Sequence, residues 1–262
     1  MSVEGTPTAG EGRSVSGRAF RQLLWVEVLQ AWRQPTGLVW GVGLPIVLLI
    51  VFGNISAFKQ PVTPGSSLTI FEVYIPVLFA LSLVLLALVS LPTPLVAYRE
   101  QGWLRRLSTT PITPVWLLAA QIIVNLALAL ATLLIVVLGG ALFLGSRLPG
   151  NPGGFVLAAL LVTVAIFALG LLGAAVAPTQ GWASVMGGVL FFPLLFLAGL
   201  WYPLQNMPAT LRTIAGYSPL TAGVAAMQSA MQGDFPSAHD LLVLVGFAVV
   251  LGAAAVRFFR WE

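Results

Sequence analysis

The chain has 262 residues, 58% hydrophobic and 8% charged, with a mean hydropathy of +0.98 and a formal net charge of +4. Several apolar runs are long enough to cross a bilayer, so composition gives a polytopic, all-α membrane protein with room for one membrane domain and no sizeable soluble one. The basic residues are dispersed, which excludes nucleic-acid binding despite a pI near 10.1, and the lack of cysteine excludes disulfides, thiolate zinc sites and thiol chemistry.

In chain order, residues 1–17 are rich in Gly, Ser, Thr and acidic side chains and lack an apolar stretch. They read as a disordered cytoplasmic tail without a signal peptide, and residues 18–262 as a single transmembrane domain. The arm from Arg18 to Arg33 reads as an amphipathic helix lying in the cytoplasmic membrane interface. Phe20, Leu24, Val28, Ala31 and Trp32 are assigned to its apolar side, Arg18, Gln22, Glu27, Gln30 and Arg33 to its polar side, and Trp25 and Trp32 to headgroup depth.

Six spans are predicted, at about residues 37–57, 73–97, 115–144, 154–177, 183–202 and 241–256. The loops that alternate with them put nine basic residues on one side and three (Lys59, Arg147, Arg212) on the other. The positive-inside rule then places both termini in the cytoplasm of a cell inner or plasma membrane. No charged residue falls in the middle of a span, which argues against a proton relay or voltage sensor. Between spans five and six, residues 201–240 are too apolar for a solvated loop, yet Pro203, Pro208 and Pro219 cut them into pieces too short to span. Short helices re-entering the outer leaflet would satisfy both facts.

Enzyme motifs fail one by one. The single lysine, Lys59, follows Phe58, so no phosphate-binding loop exists, and the single histidine, His239, excludes a two-histidine metal site on this chain. No GxSxG occurs, and Gly41-Val42-Gly43 lies inside a span with Ile46 where a third glycine would stand. The chain therefore needs no cofactor of its own. Small residues four apart (Gly37 and Gly41, Ala127 and Ala131, Gly170 and Ala174) suit close helix packing. Among polar residues within spans, Gln121, Asn125 and Thr132 share a helix face; with Thr163 they are candidates for a substrate path, and interhelical hydrogen bonds would explain them equally well.

The segment YREQGWLRRLSTTPITP, residues 98–114, concentrates charge between two apolar runs. Trp103, Leu104 and Leu107 fall on one helical side, Arg99, Arg105 and Arg106 on the other, and Glu100 projects among the apolar group. Pro92 and Pro94 are expected to disturb the end of span two, and the Ser-Thr-Thr-Pro run to end the short helix. This reads as an amphipathic cytoplasmic helix onto which a protein docks.

The same run resembles the signature of type-2 ABC exporter permeases, Arg-Glu-x-Gly-x-x-x-Arg leading to a (Ser/Thr)-Pro before the third span, matched by Arg99, Glu100, Gly102, Arg106 and Pro111. Arg33-Gln34-Pro35, Pro45 and a later set (Gly199, Pro203, Pro208, Tyr217, Pro219, Thr221) extend the resemblance from about Arg18 to the C-terminus. It is closest to the daunorubicin-resistance-type drug exporters. The resemblance implies a half-transporter that pairs with a second permease copy, as homodimer or heterodimer, and recruits separate ATP-binding cassette subunits that carry the ATP and Mg. It implies that Arg99, Glu100, Gly102, Arg105 and Arg106 belong to a coupling helix seated on that subunit. It also implies export of an amphiphilic substrate, a drug (multidrug resistance) or a membrane lipid. A glycan-exporting permease and a non-transporting scaffold are the alternatives.

Overall fold

The computed structural model describes residues 9–33, 35–62, 68–100 and 114–258. Among them the chain is helical: α1 (Ala9–Arg33), α2 (Thr36–Leu38), α3 (Leu44–Asn54), α4 (Ile70–Leu85), α5 (Pro92–Glu100), α6 (Pro114–Leu144), α7 (Pro152–Val176), α8 (Gln180–Leu197), α9 (Ala209–Gly216), α10 (Pro219–Gln232) and α11 (Ala238–Phe258). α1 starts at Ala9, inside the segment expected to be a disordered tail.

Among the described residues, five helical stretches are long and apolar enough to span: Ile70–Glu100, Trp116–Leu144, Pro152–Val176, Gln180–Leu197 and Ala238–Phe258. The first expected span is shorter, an apolar helix over Val39–Asn54. Ile55 is extended there and a 3₁₀ turn at Ser56–Lys59 follows, so the chain leaves the helix before the expected end.

Two prolines that should interrupt helices are absorbed by π-turns. A proline has no N–H to give its i−4 carbonyl and its ring crowds that carbonyl; a widened turn just before it makes the room. One π-turn, Val39–Gly43, precedes Pro45; the other, Leu86–Ser90, precedes Pro92, with the Leu91 N–H reaching back five residues to the Leu86 carbonyl at 2.9 Å. Span two therefore does not stop near Ala97. It runs on through α5 to Glu100.

That second helix is the centre of the bundle. From Ile75 to Leu88 every side chain is buried, under spans three, four and five and the apolar helix α10. The Leu86–Ser90 turn is ringed by glycines: Gly37 faces Ser90, Gly41 faces Leu86, Gly170 of α7 lies against the Ala87 carbonyl, and Gly187 of α8 lies against the Leu88 carbonyl. The packing expected of Gly37, Gly41 and Gly170 is thus observed, whereas Ala127 faces outward. α6, α8 and α11 carry broad exposed apolar faces, as at Phe143 (84% exposed) and Val256 (81%), the surfaces a bilayer would cover.

The 198–237 region contains α9 and α10 behind a turn at Gly199, whose φ of +89° favours glycine. α10 is too short to span, but its buried row from Pro219 to Met231 packs on α7, and Gly233 in the left-handed region ends it.

A Cβ at Gly187 would stand 2.5 Å from the Leu88 carbonyl oxygen, and one at Gly170 would overlap the Ala87 carbonyl, while one at Gly188 meets nothing within 4 Å. Gly187→Ala and Gly170→Ala should each cost about 1–3 kcal/mol by overpacking against backbone. Gly188→Ala should be neutral or stabilising, since alanine favours helix. Melting of the detergent-solubilised chain checks the contrast.

Candidate functional site

Two features meet at the end of α5. The first is a polar cavity of about 140 Å³ between α1, the Leu86–Ser90 turn and α6, with Glu27, Gln30, Ser90, Thr93, Gln121 and Asn125 in its wall. α1 packs with Phe20, Leu23, Leu24, Glu27 and Gln30 inward and leaves Trp25 and Trp32 exposed. The packed side therefore combines part of the expected apolar side, Phe20 and Leu24, with Glu27 and Gln30 from the polar side. Glu27 is 3% exposed, contrary to the solvated face assigned to it. It stands one heptad after Phe20, nearly eclipsing it around the helix, and this spacing is the signal that could have placed it inward.

The Glu27 carboxylate accepts from the Gln121 side-chain amide through Oε2, and the Tyr98 hydroxyl lies 3.2 Å from its Oε1. The same hydroxyl is 2.9 Å from Gln30 Oε1, so its one proton is shared between the two oxygens. Asn125 is 2% exposed; its amide donates to the Gln121 carbonyl at 3.0 Å and its Oδ1 has no partner. Burial pushes the Glu27 carboxyl above its ordinary 4.5, and the Tyr98 hydrogen bond opposes that shift. Of the expected path residues, Gln121 and Asn125 line this cavity. Thr132 and Thr163 instead bond back to the carbonyls of Leu128 (2.9 Å) and Ala159 (2.6 Å) in their own helices. Thr163 also lines a separate apolar groove of about 420 Å³ between α6, α7 and α11.

The second feature is a clasp. The Arg99 guanidinium donates to the carbonyl of Ala177, the residue that ends α7. Glu100 Oε1 accepts the N–H of Gln180, the first residue of α8, at 3.2 Å. A cation at a helix C-terminus and an anion at a helix N-terminus both satisfy orphan backbone groups and match the helix dipoles. Consecutive residues of α5 thus hold the connection between spans four and five. Gly102, Arg105 and Arg106, with the rest of the expected coupling helix, lie outside the described residues.

The later motif residues serve the 198–237 region. Gly199 makes its turn, Pro203 and Pro208 precede short helices, and Pro219 opens α10. Thr221 is buried with its hydroxyl unpartnered, and Tyr217 stands exposed edge-on to His239 at 5.4 Å. Glu72 was missed by the sequence reading: it is buried beyond the α4 start, closing a capping box with Thr69 and accepting the Arg147 N–H at 2.8 Å. The Thr-x-x-Glu spacing is its signal.

The ABC-2 type transporter family matches residues 18–231 of the chain. Two proteins named as transport permease ycf38 are similar to it. That of Pyropia yezoensis is 28% identical over 205 residues, 75% of this chain and 68% of the relative, and that of Porphyra purpurea is 28% identical over 201 residues with the same coverage.

Glu27 binds its proton more tightly in the folded chain than in the unfolded one, so stability should fall as pH rises from about 4.5 through its folded-state titration. Glu27→Gln should flatten that part of the profile. Melting temperature against pH, wild type minus variant, measures it.

Proposed function

The chain belongs to the ABC-2 type transporter family as a type-2 ABC permease, a multi-pass membrane transport protein and not an enzyme, and we propose that it is the half-transporter of an ATP-driven exporter. A second permease copy completes the path, and separate ATP-binding cassette subunits supply ATP and Mg. Both termini face the cytoplasm, the end of the molecule that carries α1, Glu100 and the α7–α8 connection. The carried molecule is an amphiphile, a drug or a lipid, as in the daunorubicin-resistance branch. The apolar groove between α6, α7 and α11, of a size suited to small-molecule sites, supports that choice.

The observation that carries the reading is the clasp of Arg99 and Glu100 on Ala177 and Gln180. The family signature runs on from these two residues through Gly102 and Arg106, which with Arg105 make the proposed seat of the ATPase. A push on that seat enters α5 and passes directly to the hinge between spans four and five. Span two, packed at the centre, carries the same push through the bundle as a rigid element. Arg99 and Glu100 act here as internal levers, and the contact with the ATPase falls to the residues after them.

The chain purified from its native membrane in mild detergent should bring down a near-stoichiometric partner with a phosphate-binding loop and hydrolyse MgATP. A clean preparation without such a partner would sink the exporter reading. In the reconstituted complex, Arg106→Glu and Glu100→Lys should lower substrate-stimulated ATPase activity by about tenfold, the factor that 1.4 kcal/mol of lost interaction produces. Membrane insertion should be unchanged. Intact stimulation in both variants would remove the coupling role.

A further inference from the structure

The polar cavity is short of positive charge. Its wall holds one carboxylate, Glu27, and no Lys, Arg or His among the described residues. A buried carboxylate is ordinarily matched by a cation or a metal, and among the described residues Glu27 meets only the neutral donors Gln121 and Tyr98.

Counting donors and acceptors sharpens the point. The Gln121 amide is given to Glu27, the Asn125 amide to the Gln121 carbonyl, the Thr93 hydroxyl to the Val89 carbonyl at 2.7 Å, and the Tyr98 proton to Glu27 and Gln30. The Asn125 Oδ1 is buried and unpartnered, and each Glu27 oxygen holds one of these contacts where a carboxylate oxygen can accept two. Second N–H groups on the Gln121 and Asn125 amides, the Ser90 hydroxyl and the Gln30 amide are the further donors of the wall, and all of them are neutral. The wall thus presents one carboxylate and one unpartnered amide oxygen with no charged donor among the described residues, a pair of acceptors suited to a positively charged donor.

The surroundings restrict what carries that charge. A volume of about 140 Å³ is below the range of sites that enclose a whole drug-sized molecule, but it accommodates an ammonium group. Ala31, Val89, Pro94 and Leu128 make the rest of the wall apolar and part-exposed, a route for an alkyl chain.

We propose that this cavity seats the ammonium group of a cationic amphiphile, with the Glu27 carboxylate and Asn125 Oδ1 as its acceptors and the apolar remainder of the molecule left toward the bilayer. That the bound amphiphile is then carried rests on the export reading; its binding rests on the cavity alone.

The test uses the full chain in phosphatidylcholine nanodiscs and a dodecylammonium probe bearing a diazirine near the amine, with photolabelled positions mapped by mass spectrometry. Saturable labelling is expected on α1 around Glu27 and on α6 around Gln121 to Leu128. Unlabelled dodecylammonium should compete, and dodecanol and dodecanoate should not. Glu27→Gln should reduce saturable labelling by about tenfold or more, as loss of a desolvated charge partner does. Glu27→Asp should retain part of it. Should Glu27→Gln aggregate, Asn125→Leu carries the test, with a clear reduction expected. Labelling unchanged in a folded variant, equal competition by dodecanol, or labelling only on outward apolar faces would overturn the site. Because labelling needs no ATPase, its failure beside intact ATP-driven transport removes this site alone; its success beside a missing ATPase partner removes the export reading alone.

Discussion

Within a bilayer no water is available to a backbone N–H or carbonyl, so each must be satisfied by the chain itself. The bundle follows from that constraint. Prolines at positions 45 and 92 would each leave a carbonyl unbonded within an apolar helix, and a π-turn just ahead of each lets the helix pass with its register shifted. A π-turn is wider than an α-turn and its carbonyls stand out, so neighbours without side chains must meet it. Gly170 and Gly187 do so at Ala87 and Leu88. Thr132 and Thr163 return their hydroxyl protons to their own helices for the same reason.

Polar groups that the backbone does not need are gathered at the two ends of span two. At one end Glu72 spends both oxygens on Thr69 and on the Arg147 N–H, a closed network whose work is to fix the start of the helix. At the other, Tyr98, Arg99 and Glu100 reach partners on different elements: α1 through Glu27 and Gln30, and the α7–α8 connection through Ala177 and Gln180. Successive residues of a helix point about 100° apart, so three in a row can hold three directions at once. The first network is saturated, while the second leaves Asn125 Oδ1 unpartnered in the same cavity wall as a carboxylate that meets no cation among the described residues.

What the sequence makes legible is what hydropathy and spacing encode. The long third and fourth spans were expected at 115–144 and 154–177 and stand at Pro114–Leu144 and Pro152–Val176, because an uninterrupted apolar run leaves the chain little choice. Span two, expected to end near residue 97, runs to Glu100, and the disturbance expected of Pro92 is taken up by a π-turn that nothing local announces. Glu27 differs from its expected place for another reason: in an isolated amphipathic helix the polar side faces water, whereas α1 turns Glu27, together with Phe20, Leu23 and Leu24, toward the rest of the protein. The heptad spacing from Phe20 hints at that side, and the contacts with Tyr98 and Gln121 hold the carboxylate there. The pairing of Arg99 and Glu100 with residues some eighty positions away is likewise invisible to local pattern, although their place at the head of the signature marked them as candidates.

The joining of clasp and cavity on one helix end has a mechanical consequence. In the proposed exporter, a displacement of the segment after Glu100 cannot move the α7–α8 connection without also moving Tyr98, because all three contacts sit within one turn of α5. Tyr98 in turn is bonded to the carboxylate that faces the cavity. A shift that carries the Tyr98 hydroxyl away would strip Glu27 of one neutral donor while leaving it buried, making an unpaired carboxylate costlier and a cation in its place more favoured. A shift the other way restores the donor and weakens the hold on a cation. The same motion that rearranges spans four and five would therefore alter the affinity of the cavity, with no further moving part between them.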